Sequence, residues 1–180
     1  MRPFLFLLAA LALSGPATAA SFEQALSLYQ EKRYPDARVA FSRLAANEPQ
    51  DARHRFYLGN IAMRRSDTDD AIHHYEKAVE LDPTNASYHL ELGGAYGAAA
   101  SKASLMGKIG WARKCRVALE RAVELDPDNL DARNGLITFY RQAPGIVGGG
   151  IGKAYAQAEE IRKRDFRRGS LILGQLYAGE

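Results

Sequence analysis

Cysteine is nearly missing from this chain of 180 residues: Cys115 stands alone. A single thiol forms no internal disulfide, so core packing must hold the fold together. Long apolar runs are also scarce. The clearest one, Phe4 to Leu13, is too short for the roughly twenty residues that span a bilayer. Excess charge of one sign is lacking too, with 24 Lys+Arg against 21 Asp+Glu and a formal net charge of +3. Histidine occurs four times, as His54, His73, His74 and His89. Neighbouring His73 and His74 splay about 100° apart on a helix and cannot chelate as an i, i+4 pair does. All four are read as surface residues. No catalytic constellation stands out, so the chain is expected to be non-catalytic, with no metal and no cofactor.

The first twenty residues, "MRPFLFLLAALALSGPATAA", have a charged start at Arg2, the short apolar run, and small residues at Ala17 and Ala19. That is the layout of a cleavable secretory signal, with cleavage after Ala19 or Ala20. No cysteine lies near the cleavage site to carry a lipid anchor. The expected location is therefore outside the cytoplasm, in the periplasm of a Gram-negative bacterium. Export argues against nucleic acid as a partner. Beyond residue 20 the charge is polarised: residues 21–100 carry net −3 and residues 101–180 net +5. Such an asymmetry can steer an anionic partner without specifying it.

"YRQAPGIVGGGIGKAY", residues 140–155, superficially resembles a phosphate cradle. A GxxxxGK[ST] loop needs glycine where Val147 stands, Ser or Thr where Ala154 stands, and a preceding strand where this chain reads as helix. Nucleotide binding is excluded on those three grounds.

Three columns of residues recur along the chain. Ala37, Ala71, Cys115 and Ala154 form one, Phe41, Tyr75, Leu119 and Ala158 the second, and Pro49, Pro83, Pro127 and Phe166 the third. Each column shows the same successive spacings of 34, 44 and 39. A further set precedes each small residue: Leu58-Gly59, Leu92-Gly93, Leu136-Ile137 and Leu173-Gly174. Leucine, glycine and a residue four positions beyond the leucine share one helical stripe, and glycine lets a second helix approach closely. Ala71, Tyr75 and Ala78 form the facing stripe. Proline after "ELD" stops one helix and suits the start of the next. Each unit is thus a helical hairpin that buries its face only by stacking on its neighbours.

A 34-residue unit patterned L-G…A…Y…A…P, clearest in residues 52–85, resembles the tetratricopeptide repeat. The resemblance spans residues 21–177. It implies an all-α fold, a right-handed superhelix of antiparallel helix pairs, with four repeats at about 21–51, 52–85, 86–129 and 130–166. A terminal helix at 167–180 follows, able to cap the stack or to mediate a homodimer. Cys115 is expected to be a small core residue like the alanines of its column. The resemblance also implies a concave groove for a protein or peptide, faced by Arg53, Phe56, Asn60 and Arg64, by Leu90, Gly94 and Gly97, and by Asn134, Thr138 and Arg141. Asn60 matches the position from which peptide-clamping members hold a ligand backbone, and Arg53 and Arg64 could flank a carboxylate.

The longer spacings locate two insertions between the paired helices of adjacent units, roughly residues 98–112 and 143–151. Both are expected to be loops emerging on one edge of the stack. They bring Met106, Lys108, Ile109, Trp111, Ile146 and Val147 into a lobe that packs on itself or faces a partner or membrane. The expected function is a non-catalytic protein- or peptide-binding scaffold of the bacterial cell envelope. Two alternatives remain open: docking on anionic lipid through the basic C-terminal half, and small-molecule or enzymatic use of the glycine-rich edge.

Overall fold

The structure, a computed structural model, describes residues 21–179. Residues 1–20, where a secretory signal is expected, lie outside the described residues. Those residues form helices and connecting turns with no strand among them. The helices are α1 (Phe22–Gln30), α2 (Tyr34–Asn47), α3 (Ala52–Arg64), α4 (Thr68–Leu81), α5 (Ala86–Lys102), α6 (Leu105–Leu125), α7 (Leu130–Gln142), α8 (Ile151–Arg164) and α9 (Phe166–Tyr177). A 3₁₀ turn, Gly145–Val147, separates α7 from α8.

Helix starts follow local chemistry. The side chains of Asp51, Asp67, Asn85, Asn129 and Asp165 each accept a backbone N–H in the first turn of the following helix. Ser21 and Gln24 form a reciprocal capping box on α1. Such caps satisfy amides that the helix itself leaves open. The acids of "SDTDD" act in this way, with Asp67 accepting from Asp70 N at 3.3 Å.

Each helix packs on its predecessor and its successor, and α3, α5 and α7 also touch in order along one side. This is a solenoid of helix pairs. Its pairs nest through size complementarity. A Cβ on Gly59 would lie 2.5 Å from the Tyr75 ring, and one on Gly93 would lie 2.8 Å from the Leu119 side chain. The fourth pair reverses the sizes: Ile137 stands in the glycine position and Ala158 in the aromatic one, and both are buried in the same core. Tyr75 and Phe41 are buried almost completely, each contributing on the order of 1.5–3 kcal/mol.

Two expectations about connections change. Residues 98–112 are not a loop. The alanine-rich stretch carries α5 on to Lys102, and α6 begins at Leu105, leaving only Ala103 and Ser104 between them. Alanine is the best helix former, so the insertion lengthens two helices. Phe166 is not a turn residue in the place of proline. Asp165 is at once the C-cap of α8 and the N-cap of α9, and Phe166 opens α9. That short corner presses Gly169 against α8, where a Cβ would lie 2.3 Å from the Arg162 backbone.

The histidines also depart from a surface role. His54 is completely buried, and His74 and His89 are half-buried; His73 alone is exposed. The ring of His89 lies 2.9 Å from the Pro83 carbonyl. Burial holds His74 below its ordinary pKa despite nearby Asp70.

Candidate partner-binding surfaces

The side formed by α3, α5 and α7 carries most of the residues expected to face a groove. On α3, Arg53 is committed to its own helix start. Its Nη2 donates to Asp51 Oδ2 at 2.6 Å, and its guanidinium lies 4.3 Å from the centre of the Phe22 ring. It is thus neutralised, and the expected pairing with Arg64 around an incoming carboxylate loses one member. Arg64 is exposed and hydrogen-bonded to Tyr29, which holds its guanidinium above the ordinary pKa. Asn60 Oδ1 accepts from the Tyr75 hydroxyl at 2.7 Å. Phe56 is half-buried, 4.8 Å from the Tyr88 ring. Leu90 packs against the core, whereas Asn134, Thr138 and Arg141 are exposed. Gly94 leaves open space above α5.

Glu91 was not foreseen on this face. One side of it is open to solvent, but protein packs around the rest, and that partial burial pushes its carboxyl up. Arg64 pulls it back down and Asp131 pushes it further up. Its place on α5, one residue past Leu90, was a usable signal, but the repeat register pointed to Leu90 for that turn. The groove-facing polar heads on α3 are therefore largely engaged with the protein itself.

The edge is different. The tip of the long α5–α6 hairpin and the Pro-Gly turn after α7 enclose an open cavity of about 330 Å³. Leu105, Lys108, Ile109 and Ala112 line it from α6, and Phe139, Pro144, Ile146 and Val147 from across the gap. Leu105 and Ile146 are 79% and 73% exposed, so the rim is apolar and wet. Val147 is buried in the core, and Met106, 82% exposed, stands outside the lining. Trp111 turns the other way and lies 5.7 Å from the Tyr96 ring, with Lys114 Nζ 5.0 Å above it. Lys108 is exposed and supplies the cavity's cation. Cys115 also lines the cavity; burial pushes its thiol up to about 11, the behaviour of a small core residue.

The glycine run closes on itself. The amides of Val147, Gly148, Gly149 and Gly150 donate to the carbonyls of Pro144, Gly145, Pro144 and Tyr140. Lys153 Nζ donates to the Gly148 carbonyl at 2.9 Å. The amides and the lysine that a phosphate would need are spent on the loop's own backbone. Gly148 has φ +96°, a conformation that favours glycine.

Four of the five cations of the basic run 162–168 are likewise compensated. Arg162 pairs with Glu159 at 2.8 Å, Lys163 with Glu160 at 2.5 Å, Arg164 with Asp128 at 2.7 Å, and Arg168 with Asp131 at 2.6 Å. Among the described residues no helix is long and apolar enough to cross a membrane.

Comparison with known proteins fits this architecture. The sequence profile of a family described as tetratricopeptide repeat matches residues 7–52, 22–86 and 58–103. A crystal structure of MamA superposes with a TM-score of 0.68 at 24% identity, covering 86% of this chain and 83% of that one. TTC0263, a thermophilic TPR protein of Thermus thermophilus, gives 0.68 at 19% identity over 87% and 79% of the two chains. YrrB, a TPR protein with an unusual peptide-binding site, gives 0.65 at 18% identity over 87% and 74%. At these identities the three structures bear on the fold.

Proposed function

Because the chain belongs to the tetratricopeptide repeat family, we propose that it is a non-catalytic scaffold that holds a protein or peptide partner at its apolar edge cavity. The observation that carries this is the cavity itself, with Leu105 and Ile146 exposed at its rim and Lys108 beside them. Exposed apolar clusters of this kind mark interaction sites. At about 330 Å³ the cavity is at the small end of ligand pockets, which run from roughly 300 to 1,000 Å³. It suits one or two apolar anchor side chains, flanked by an acidic residue that Lys108 attracts. YrrB offers a precedent for an unusual peptide-binding site on this fold. The signal-like segment at residues 1–20 supports work in the bacterial envelope, in the periplasm.

The test is peptide-display panning against the immobilised chain. Leu105→Asp with Ile146→Asp changes two exposed rim residues and leaves the fold intact. Binders with one apolar anchor, lost on that double variant and kept on Asn134→Ala/Arg141→Ala, support the edge. Binders kept on the rim variant and lost on Asn134→Ala/Arg141→Ala would move the site to the concave face.

A further inference from the structure

We propose that the corner between α2 and α3 is a binding site for a first-row divalent cation such as Zn²⁺, held by Glu48, Asp51 and His54. Glu48 ends α2, Asp51 caps α3, and His54 lies one turn into α3. One donor atom from each lies within 4.8 Å of the others. His54 Nε2 is 3.7 Å from Glu48 Oε2 and 3.6 Å from Asp51 Oδ2. Ligands about 2.0–2.2 Å from a tetrahedral zinc stand about 3.4 Å apart, so both edges are close to ligating distance. Glu48, with 59% of its side chain exposed, is free to swing inward.

The second observation is independent of the carboxylates. His54 is fully buried, and neither ring nitrogen has a hydrogen-bond partner among the described residues. A buried polar group without a partner carries a desolvation cost that a ligand would remove. Nε2 is the nitrogen turned toward the two carboxylates, so a cation placed there satisfies it. Its ring packs 6.0 Å from the Phe22 ring on α1, which shuts out water on that side.

The surroundings support a metal rather than a bare ion pair. Asp51 is fixed from outside, since Arg53 N and Nε donate to Oδ1 at 3.0 Å and Arg53 Nη2 to Oδ2 at 2.6 Å. Such outer contacts hold a ligand in place for its metal. They also leave the local charge at about −1 from two carboxylates and one guanidinium, which a dication converts to +1. An imidazole among oxygen donors favours zinc-like ions over calcium or magnesium, which prefer all-oxygen shells. Three protein ligands leave one tetrahedral position for water. Bound there, the cation would tie the end of α2 to α3 and stiffen the first repeat under α1.

The experiment titrates the untagged full chain, stripped with a chelator, with ZnCl₂ by calorimetry, and repeats it on two variants. Glu48→Gln alters an exposed side chain and leaves folding unaffected. His54→Leu fills the buried space with an apolar group, and circular dichroism checks its fold. The expected result is one ion per chain at micromolar affinity, weakened at least tenfold in Glu48→Gln and abolished in folded His54→Leu. A Co²⁺-loaded sample should show a tetrahedral visible spectrum with nitrogen and oxygen donors. Absence of binding at millimolar zinc overturns the proposal. So does binding that is equal in all three proteins, which would locate the ion at His73, His74 or His89.

Discussion

Tyr96 on α5 donates its hydroxyl hydrogen to Glu76 on α4 at 2.6 Å, joining one helix pair to the next. Tyr140 repeats the contact on Glu120 at 3.0 Å, again across 20 residues of sequence. Burial, followed by the facing carboxylate, raises the pKa of the Tyr96 hydroxyl; the same causes push Tyr140 up to about 12. Both hydroxyls therefore stay protonated donors at neutral pH. Tyr96→Phe and Tyr140→Phe keep the ring and remove the bond, so each should cost about 1 kcal/mol. Thermal melts should show Tm lower by about 2–4 °C for each. Because the two pairs share no partner, the double variant should lose the sum. Unchanged melts would mean that the stack is held without these ties.

Gly93 and Gly94 are neighbours on α5 with opposite requirements. A methyl on Gly93 would meet the Leu119 side chain at 2.8 Å, whereas Gly94 has nothing within 4 Å. Gly93→Ala should destabilise by about 1–3 kcal/mol through overpacking. Gly94→Ala should stabilise by about 0.5–1 kcal/mol through helix propensity alone. Denaturant midpoints of the two single variants, shifted in opposite directions with equal m-values, would establish that α5 and α6 nest as described.

The sequence made the nesting legible because Leu-Gly, Ala and aromatic positions return in step, and size complementarity between facing helices leaves little choice. Even the irregular fourth unit keeps the rule by exchanging sizes between Ile137 and Ala158. Other features escaped because spacing does not carry them. The Leu92 to Cys115 interval revealed extra residues but not that they would extend helices; the alanines of "GAAAS" were the available sign. The corner at Asp165 lost residues while the columns kept step up to Phe166, so a count along the columns mistook a helix start for a turn. His54 follows Asp51 by one turn, a spacing that places its ring on the capping side. Its complete burial depends on Phe22, from a helix two elements away. The repeat register places Arg53 on the groove but says nothing of its partner, and its own N-cap compensates it, a contact two residues long.

Acid should weaken the C-terminal half slightly through Glu160. Its carboxylate is bonded to Lys163 and Arg164, which holds it well below the ordinary 4.5, at about 2. Arg164 in turn reaches Asp128 at the α6–α7 corner. A carboxylate with a depressed pKa adds stability that is complete above about pH 4.5 and is lost as the pH falls toward 2. Glu160→Gln should therefore lower stability at pH 7 modestly, as befits exposed pairs. It should flatten the stability loss between pH 4.5 and 2. Urea midpoints of both proteins across that range measure it. Parallel curves would show that Glu160 adds nothing to acid sensitivity.

The edge turn is pinned by Gly149, where a Cβ would lie 1.7 Å from the Ala143 carbonyl oxygen. Backbone cannot yield as a side chain can, so Gly149→Ala must push the turn away from the end of α7. Val147, now buried, would leave with it and open the cavity that it shares with Cys115. The thiol reports this. Burial holds its pKa at about 11 in the native chain, so it reacts slowly at pH 8. In Gly149→Ala the reaction with an aromatic disulfide reagent should speed up at least tenfold, while far-UV circular dichroism stays helical. Gly145→Ala, which meets nothing within 4 Å, is the matched control and should react at the native rate. Equal rates in all three proteins would show that the turn does not seal Cys115, and that the cavity wall formed by Val147 is already open in solution.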